Sequence, residues 1–223
     1  MKLVHPDLQY QFCLDCTEGC EWIVESPELL AKYVEELVCQ TQGGDGNFVL
    51  SEEGRELSIS QNMEVIVNPF SLNVNDKKIL SKLYLELAEL AAGETMYLVT
   101  QEIKHQLQNY FIELEQSSSF ALESDSEIDV TALFKGIGVK IEHTATDFFE
   151  NMISYIKLVT ELLKKRVIVL VNIRSYITEE QLEELWKTAV YCEAALILIE
   201  NRQWGFSNAK NQYIIDRDYC EIF

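Results

Sequence analysis

Four carboxylates crowd seven residues near the middle of the chain: Glu123, Asp125, Glu127 and Asp129, in the run Glu123-Ser124-Asp125-Ser126-Glu127-Ile128-Asp129. Side chains of this type and spacing can do one of two things. A solvated acidic loop is the ordinary outcome of a charge run. The sharper reading is a divalent cation site, because calcium takes six to eight oxygen ligands from flexible carboxylates. The order of an EF-hand is absent, with neither the turn glycine nor the twelfth-position Glu. Cys13, Cys16 and Cys20, with His5 as a conceivable fourth ligand, form a second metal-like grouping. A further Cys pair, or a Cys/His pair at finger spacing, is missing, so these read as structural thiols. Lys164-Lys165-Arg166 is a basic triplet at the end of an apolar helical pattern. There it would complement the negative pole of a helix dipole, a reading that stands ahead of phosphate contact.

Other chemistries lack their residues. A phosphate-gripping loop needs Gly-x4-Gly-Lys-Ser/Thr opening directly into a helix, and neither that order nor Gly-x-Gly-x-x-Gly occurs. No nucleotide cofactor is expected. The three histidines, His5, His105 and His143, lie near no nucleophile motif and read as surface or satisfied core residues. The residues point to a binding protein rather than an enzyme.

At 223 residues the chain can bury one full core, or one core and a smaller lobe. Its 48% hydrophobic and 25% charged residues are ordinary for a folded protein. No apolar run approaches the roughly 18 residues of a membrane span, and no signal peptide opens the chain, so a cytoplasmic location is expected. Six cysteines there should be reduced. Cys39, Cys192 and Cys220 read as small core residues. Net charge is −19, unevenly spread. Residues 1–134 hold 7 Lys/Arg against 24 Asp/Glu, a balance of −17, and residues 135–223 hold 11 against 13, a balance of −2. Taken alone, such acidity argues against coating in nucleic acid.

The elements that must position these groups begin with Lys164 to Glu200. Val167–Val171 and Ala195–Ile199 are unbroken apolar runs, the pattern of strands buried on both faces. Between them Thr178-Glu179-Glu180-Gln181 is a capping box, followed by Leu182, Leu185, Trp186, Ala189 and Val190 on one helical face. The three make a βαβ unit with a parallel pair. Leu8–Leu14 alternates like a half-buried strand, and Glu21–Val24, Phe48–Leu50 and Val65–Val67 are further short strands. Ser26-Pro27 opens a helix. Asn75 or Asp76 caps another that stops at Gly93. A longer helix runs from near Glu94 to about Glu115. Its apolar positions Met96, Val99, Ile103, Leu107, Tyr110 and Leu114 have the spacing of a seam packed along another helix. At roughly 30 Å this helix is too long to lie under a small sheet, so an antiparallel helical projection is expected. Asp147 with Glu150 opens a further helix before residue 164, and Tyr213–Ile215 and Tyr219–Ile222 flank a turn as final strands.

Several stretches resemble one family. Ile128–Glu142 (IDVTALFKGIGVKIE), the helix Phe148–Lys165, Arg166–Asn201 (RVIVLVNIRSYITEEQLEELWKTAVYCEAALILIEN) and the ending Ile214–Tyr219 are similar to the small accessory protein of type II-A CRISPR loci, the Csn-two family. The likeness is most specific over residues 128–220. It implies an α/β fold: a degenerate P-loop-ATPase-like head with a parallel-strand core, formed by residues 1–70 and 139–223, and an inserted α-helical leg over residues 71–138. It also implies a ring-shaped homotetramer that threads a double-stranded DNA end. Calcium would hold the legs in place structurally, and the other CRISPR adaptation proteins and the effector nuclease would be partners in spacer acquisition. No membrane is involved.

The family's calcium ligands are acidic residues of the leg, and the matching positions are Glu123, Asp125, Glu127 and Asp129, with Glu115 at the end of the preceding helix. A ring negative outside and positive inside reconciles the acidity with DNA. The candidate phosphate contacts are Lys135, Lys140, Lys157, Lys164 and Lys165, chosen because basic residues concentrate after position 134. Lys77, Lys78, Lys82 and Lys104 are their rivals. Two alternatives stand beside DNA-end binding: a protein–protein scaffold of the adaptation complex, and a metal-dependent nuclease or nucleotide hydrolase.

Overall fold

The computed structural model describes residues 1–14, 19–125, 127–142, 144–205 and 211–222. The chain divides into two compact units, residues 1–74 with 143–223, and residues 75–142.

The first unit, the head, opens with β1 (Lys2–Val4), β2 (Phe12–Cys13) and β3 (Cys20–Val24). The alternation expected over Leu8–Leu14 yields a strand only at its end, and β1, too short to show a period, supplies its partner. Helix α1 (Pro27–Thr41) starts as its sequence dictates: Ser26 accepts from the Leu29 amide, and Pro27 takes the position where a missing N–H costs nothing. Then come β4 (Val49–Glu52), β5 (Arg55–Leu57), the single turn α2 (Ile59–Asn62) and β6 (Met63–Ile66). Strands β2-β1-β4-β5 form an antiparallel sheet in that order.

The second unit holds α3 (Lys77–Ala92), α4 (Tyr97–Ser117) and α5 (Val130–Gly136). Asp76 caps α3, and the helix stops at Gly93. The seam expected along α4 is not covered. No residue of that helix is buried, and Val99, Ile103, Tyr110 and Leu114 are 46–61% exposed. α3 is tied instead to the segment around α5. The Tyr84 hydroxyl donates to the Val139 carbonyl at 2.8 Å, and the Asn75 amide holds Ile141 through both its N–H and its C=O.

The chain re-enters the head with α6 (Phe148–Glu161), β7 (Val167–Val171), α7 (Glu179–Tyr191), β8 (Ala195–Glu200), β9 (Asn211–Ile215) and β10 (Glu221–Ile222). The six-stranded sheet has the order β10-β9-β3-β8-β7-β6, parallel except for its β10 edge. The expected βαβ unit is there: β7 and β8 pair in parallel from Val167–Ala195 to Val171–Ile199, and α7 joins them with both bonds of its capping box formed. Val190 of the expected apolar face is exposed and Thr188 is buried in its stead.

Strand side chains alternate between faces. Trp22, Val169, Ile197 and Tyr213 belong to the core shared with α1 and the four-stranded sheet, where Phe12, Trp22, Tyr33, Phe48 and Tyr213 form one aromatic nest. Ile168, Leu170, Leu196 and Leu198 take the other parity, that of the buried faces of α6 and α7. Gly19 leads into β3 where the Trp186 ring fills the space a Cβ would need.

Candidate functional site

The head buries a polar cluster beside the turn that follows β7. A 3-10 turn, Ile173–Ser175, follows β7 and carries Arg174, whose side chain is 2% exposed. Its guanidinium donates to Glu21 at 2.6 Å and to Glu179 at 3.2 Å. Glu21 also accepts from the Gln212 amide at 3.1 Å. The Arg174 main-chain amide donates to Glu200, which accepts a second bond from the Trp204 indole at 3.2 Å. The guanidinium carbons of Arg174 and Arg202 stand 5.4 and 4.1 Å from the centre of the Trp204 ring. Burial pushes the Glu200 carboxyl up to about 7. This cluster was missed in the sequence, although a glutamate within one apolar strand, Glu21, and one at the end of another, Glu200, mark it.

The connection from β3 into α1 is two residues, Glu25 and Ser26. The first turn of α1 is closed by Ser26 and begins with a proline, so its amide end is taken up by the chain itself.

The five lysines nominated for phosphate contact are split between the units. Lys135, on α5, and Lys140 are exposed in the helical unit, and Lys157, on α6, and Lys164 are exposed in the head. Lys165 is different. It is 9% exposed and its ammonium donates to the Ser60 and Met63 carbonyls at 2.6 and 2.8 Å, with Glu64 at 3.8 Å. The cause is backbone: α6 ends at Glu161, Lys164 has φ of +55°, and the reversal turns Lys165 inward. Arg166 forms two bonds to Glu52, at 2.6 and 2.7 Å. The triplet therefore does not cap the dipole of α6, whose last turn has no basic residue. The rivals Lys77, Lys78 and Lys82 are exposed on α3, and Lys104 is half-buried on α4.

The acidic run is exposed at Glu123, Asp125, Glu127 and Asp129, and Glu115 is half-buried near the end of α4. As oxygen donors these residues suit calcium, but they do not converge. Among the described residues no three Asp, Glu, His or Cys side chains gather around a common point. Asp129 has a local task as the cap of α5, with the Thr131 hydroxyl and amide donating to its carboxylate at 2.8 Å. These bonds hold its carboxyl below the usual range.

Cys13 is exposed, Cys20 is buried with its thiol pushed up to about 12 by burial, and Cys16 lies outside the described residues. His5 packs on Tyr33 and Phe48, accepts the Asp7 amide at Nδ1 and meets Glu36 at 3.3 Å through Nε2. His105 is exposed beside Asn109, and His143 lies outside the described residues. The three isolated cysteines are not core residues: Cys39 and Cys220 are exposed and Cys192 is half-buried. None of the described helices is long and apolar enough to cross a membrane.

The fold and its charges define an α/β protein with a parallel-sheet head and a separate helical unit. Residues 40–219 match the model of the CRISPR-associated protein family Cas_Csn2. The CRISPR-associated protein Csn2 of Enterococcus faecalis is 22% identical over 166 residues, 74% of this chain and 67% of its own. That of Streptococcus agalactiae is 23% identical over 184 residues, 80% of this chain and 79% of its own. Among solved structures, a Pyrococcus furiosus chain named for an ABC transporter's ATP-binding protein superposes with a TM-score of 0.44 at 9% identity, covering 96% of this chain and 97% of its own. At that TM-score nothing about activity follows. The chain belongs to the CRISPR-associated Csn2 (Csn-two) family.

Proposed function

We propose that this chain assembles into a ring-shaped homotetramer that takes up ends of double-stranded DNA without sequence preference, serving spacer acquisition beside the other adaptation proteins and the effector nuclease. The observation that carries the reading is family membership over residues 40–219. One feature supports it. The strongly acidic chain nevertheless exposes Lys135, Lys140, Lys157 and Lys164, all in its less acidic C-terminal part. Contacts of lysine with phosphate position a duplex without reading it, which suits DNA of any sequence. Among the described residues the carboxylates do not converge, so calcium enters as a variable of the test.

That test compares a linear duplex with a closed circle of the same sequence, with calcium and after chelation, while light scattering reports assembly mass. Uptake of the linear form alone by a tetramer supports loading from an end. Equal binding of both forms, or a monomer, removes it. The acidity of residues 1–134 and the uncovered apolar positions of α4 favour a second reading, a scaffold joining adaptation proteins. In that case charge reversal at the four lysines leaves activity intact.

A further inference from the structure

Apart from its Asp76 cap, the charges of α3 run against its dipole. Lys77 and Lys78 stand in its first turn, where the positive pole lies, and Glu86 and Glu89 stand toward its negative pole, with no basic residue in the last turn. Helix stability alone favours the reverse arrangement. Glu94, in the turn after Gly93, adds a third carboxylate. The three line an open cavity of about 660 Å³ whose apolar lining is Leu90 and Met96, and no Lys or Arg among the described residues lines it. Leu90 is 66% exposed and Met96 50%, and Leu98 and Val99 continue the apolar surface into α4. The turn that carries them is firmly built: the Gly93 amide donates to the Leu90 carbonyl at 3.1 Å, and the Thr100 hydroxyl donates to that of Ala91 at 2.8 Å.

We propose that the α3–α4 turn is a docking site for a basic amphipathic helix of a partner protein, its apolar face on Leu90 and Met96 and its lysines or arginines toward Glu86, Glu89 and Glu94. The occupant is fixed by chemistry. An anionic or neutral segment would leave three carboxylates and a helix's negative end facing it uncompensated. A purely hydrophilic cation would leave the apolar surface in water. Only a segment that is apolar on one side and cationic on the other satisfies both, and methionine at such a surface adapts to differing side chains. The site is separate from the lysines proposed to meet DNA, so it stands or falls independently of that reading.

The test uses the full chain and a labelled synthetic peptide of alternating Leu and Lys clusters at helical spacing, with a scrambled peptide of equal composition and a Leu/Glu counterpart as controls. Binding of the Leu/Lys helix and protection of backbone amides over residues 86–96 from hydrogen exchange are expected. The triple change Glu86→Lys, Glu89→Lys, Glu94→Lys should weaken binding by about tenfold or more. Leu90→Ser with Met96→Ser should weaken it similarly, whereas Glu28→Lys, Glu35→Lys, Glu161→Lys, three exposed sites in the head, should not. Circular dichroism melting checks that each variant folds. Equal losses from the head triple, or undiminished binding in the serine pair, would reduce the effect to bulk charge and overturn the proposal. A fall in assembly mass in the serine pair would overturn it in favour of a second copy of this chain on that surface.

Discussion

Arg174 and Glu21, 153 positions apart, meet at 2.6 Å with both side chains 2% exposed. The pair fastens the turn after β7 to strand β3, across β8, which lies between those strands in the sheet. In so dry a place, removing one partner strands the other's charge. Arg174→Met is therefore expected to cost about 3–5 kcal/mol in urea unfolding. Glu21→Leu combined with Arg174→Met should cost much less than the two single changes added together, because the double change buries no orphan charge at this pair. Additive losses would show that the two residues act separately.

Glu200, in the same cluster, gives the head a pH dependence. Burial raises its carboxyl from 4.5 to about 7, against bonds from the Arg174 amide and the Trp204 indole and the nearby Arg174 charge, while the Glu21 carboxylate adds to the rise. Below about 4.5 the group is protonated both folded and unfolded, and its contribution is fully present. Between that value and about 7 the unfolded chain has released the proton and the folded chain keeps it, so stability falls as pH rises. Relative to Glu200→Gln, the wild type should lose on the order of 3 kcal/mol between about pH 4.5 and 8. Unfolding midpoints that stay parallel across this range would remove a protonated Glu200 from the fold.

At Gly19 a methyl group would overlap three ring atoms of Trp186. Gly19→Ala is expected to destabilise the head by about 1–3 kcal/mol. Trp186→Leu in the same chain should recover part of that loss, since the smaller side chain vacates the space. A thermal melt of both variants decides it: no recovery would place the cost in the backbone at Gly19 instead.

Those parts of the fold set by short-range signals were open to reading. Two Val/Ile-rich runs and the Thr178–Gln181 box specify β7-α7-β8 locally, and Ser26-Pro27 and Asp76 start their helices by direct side-chain or ring effects. The four-stranded sheet was hidden because strands of two to four residues show no period and depend on pairing as distant as Leu3 with Leu50. Along α4 the spacing of apolar residues revealed a face but could not say that nothing in the described chain covers it. Glu21 interrupts an apolar strand and Glu200 ends one, yet their shared partner Arg174 only becomes adjacent through the sheet. The acidic run shows the same limit: spacing in sequence placed four carboxylates together, while the fold gives Asp129 to a helix cap.

Lys164 and Lys165, at neighbouring positions, separate a structural role from the proposed DNA contact. Lys165 donates to one carbonyl of α2, at Ser60, and one of β6, at Met63, and stands near Glu64, which accepts from the Tyr155 hydroxyl at 2.8 Å. Lys165→Met should lower stability by about 1–3 kcal/mol, because those acceptors are left in a buried site. Its effect on the salt dependence of DNA binding should be nil. Lys164 is exposed, and on the proposed reading Lys164→Ala should leave the unfolding midpoint nearly unchanged. It should reduce the slope of log affinity against log salt by about 0.9 for each phosphate that the variant no longer neutralises. The comparison uses a linear duplex at several salt concentrations beside urea unfolding of each variant. Were Lys165→Met to flatten the slope while sparing stability, the inward lysine would have to turn out to meet DNA. An unchanged slope in Lys164→Ala would strike Lys164 from the phosphate contacts.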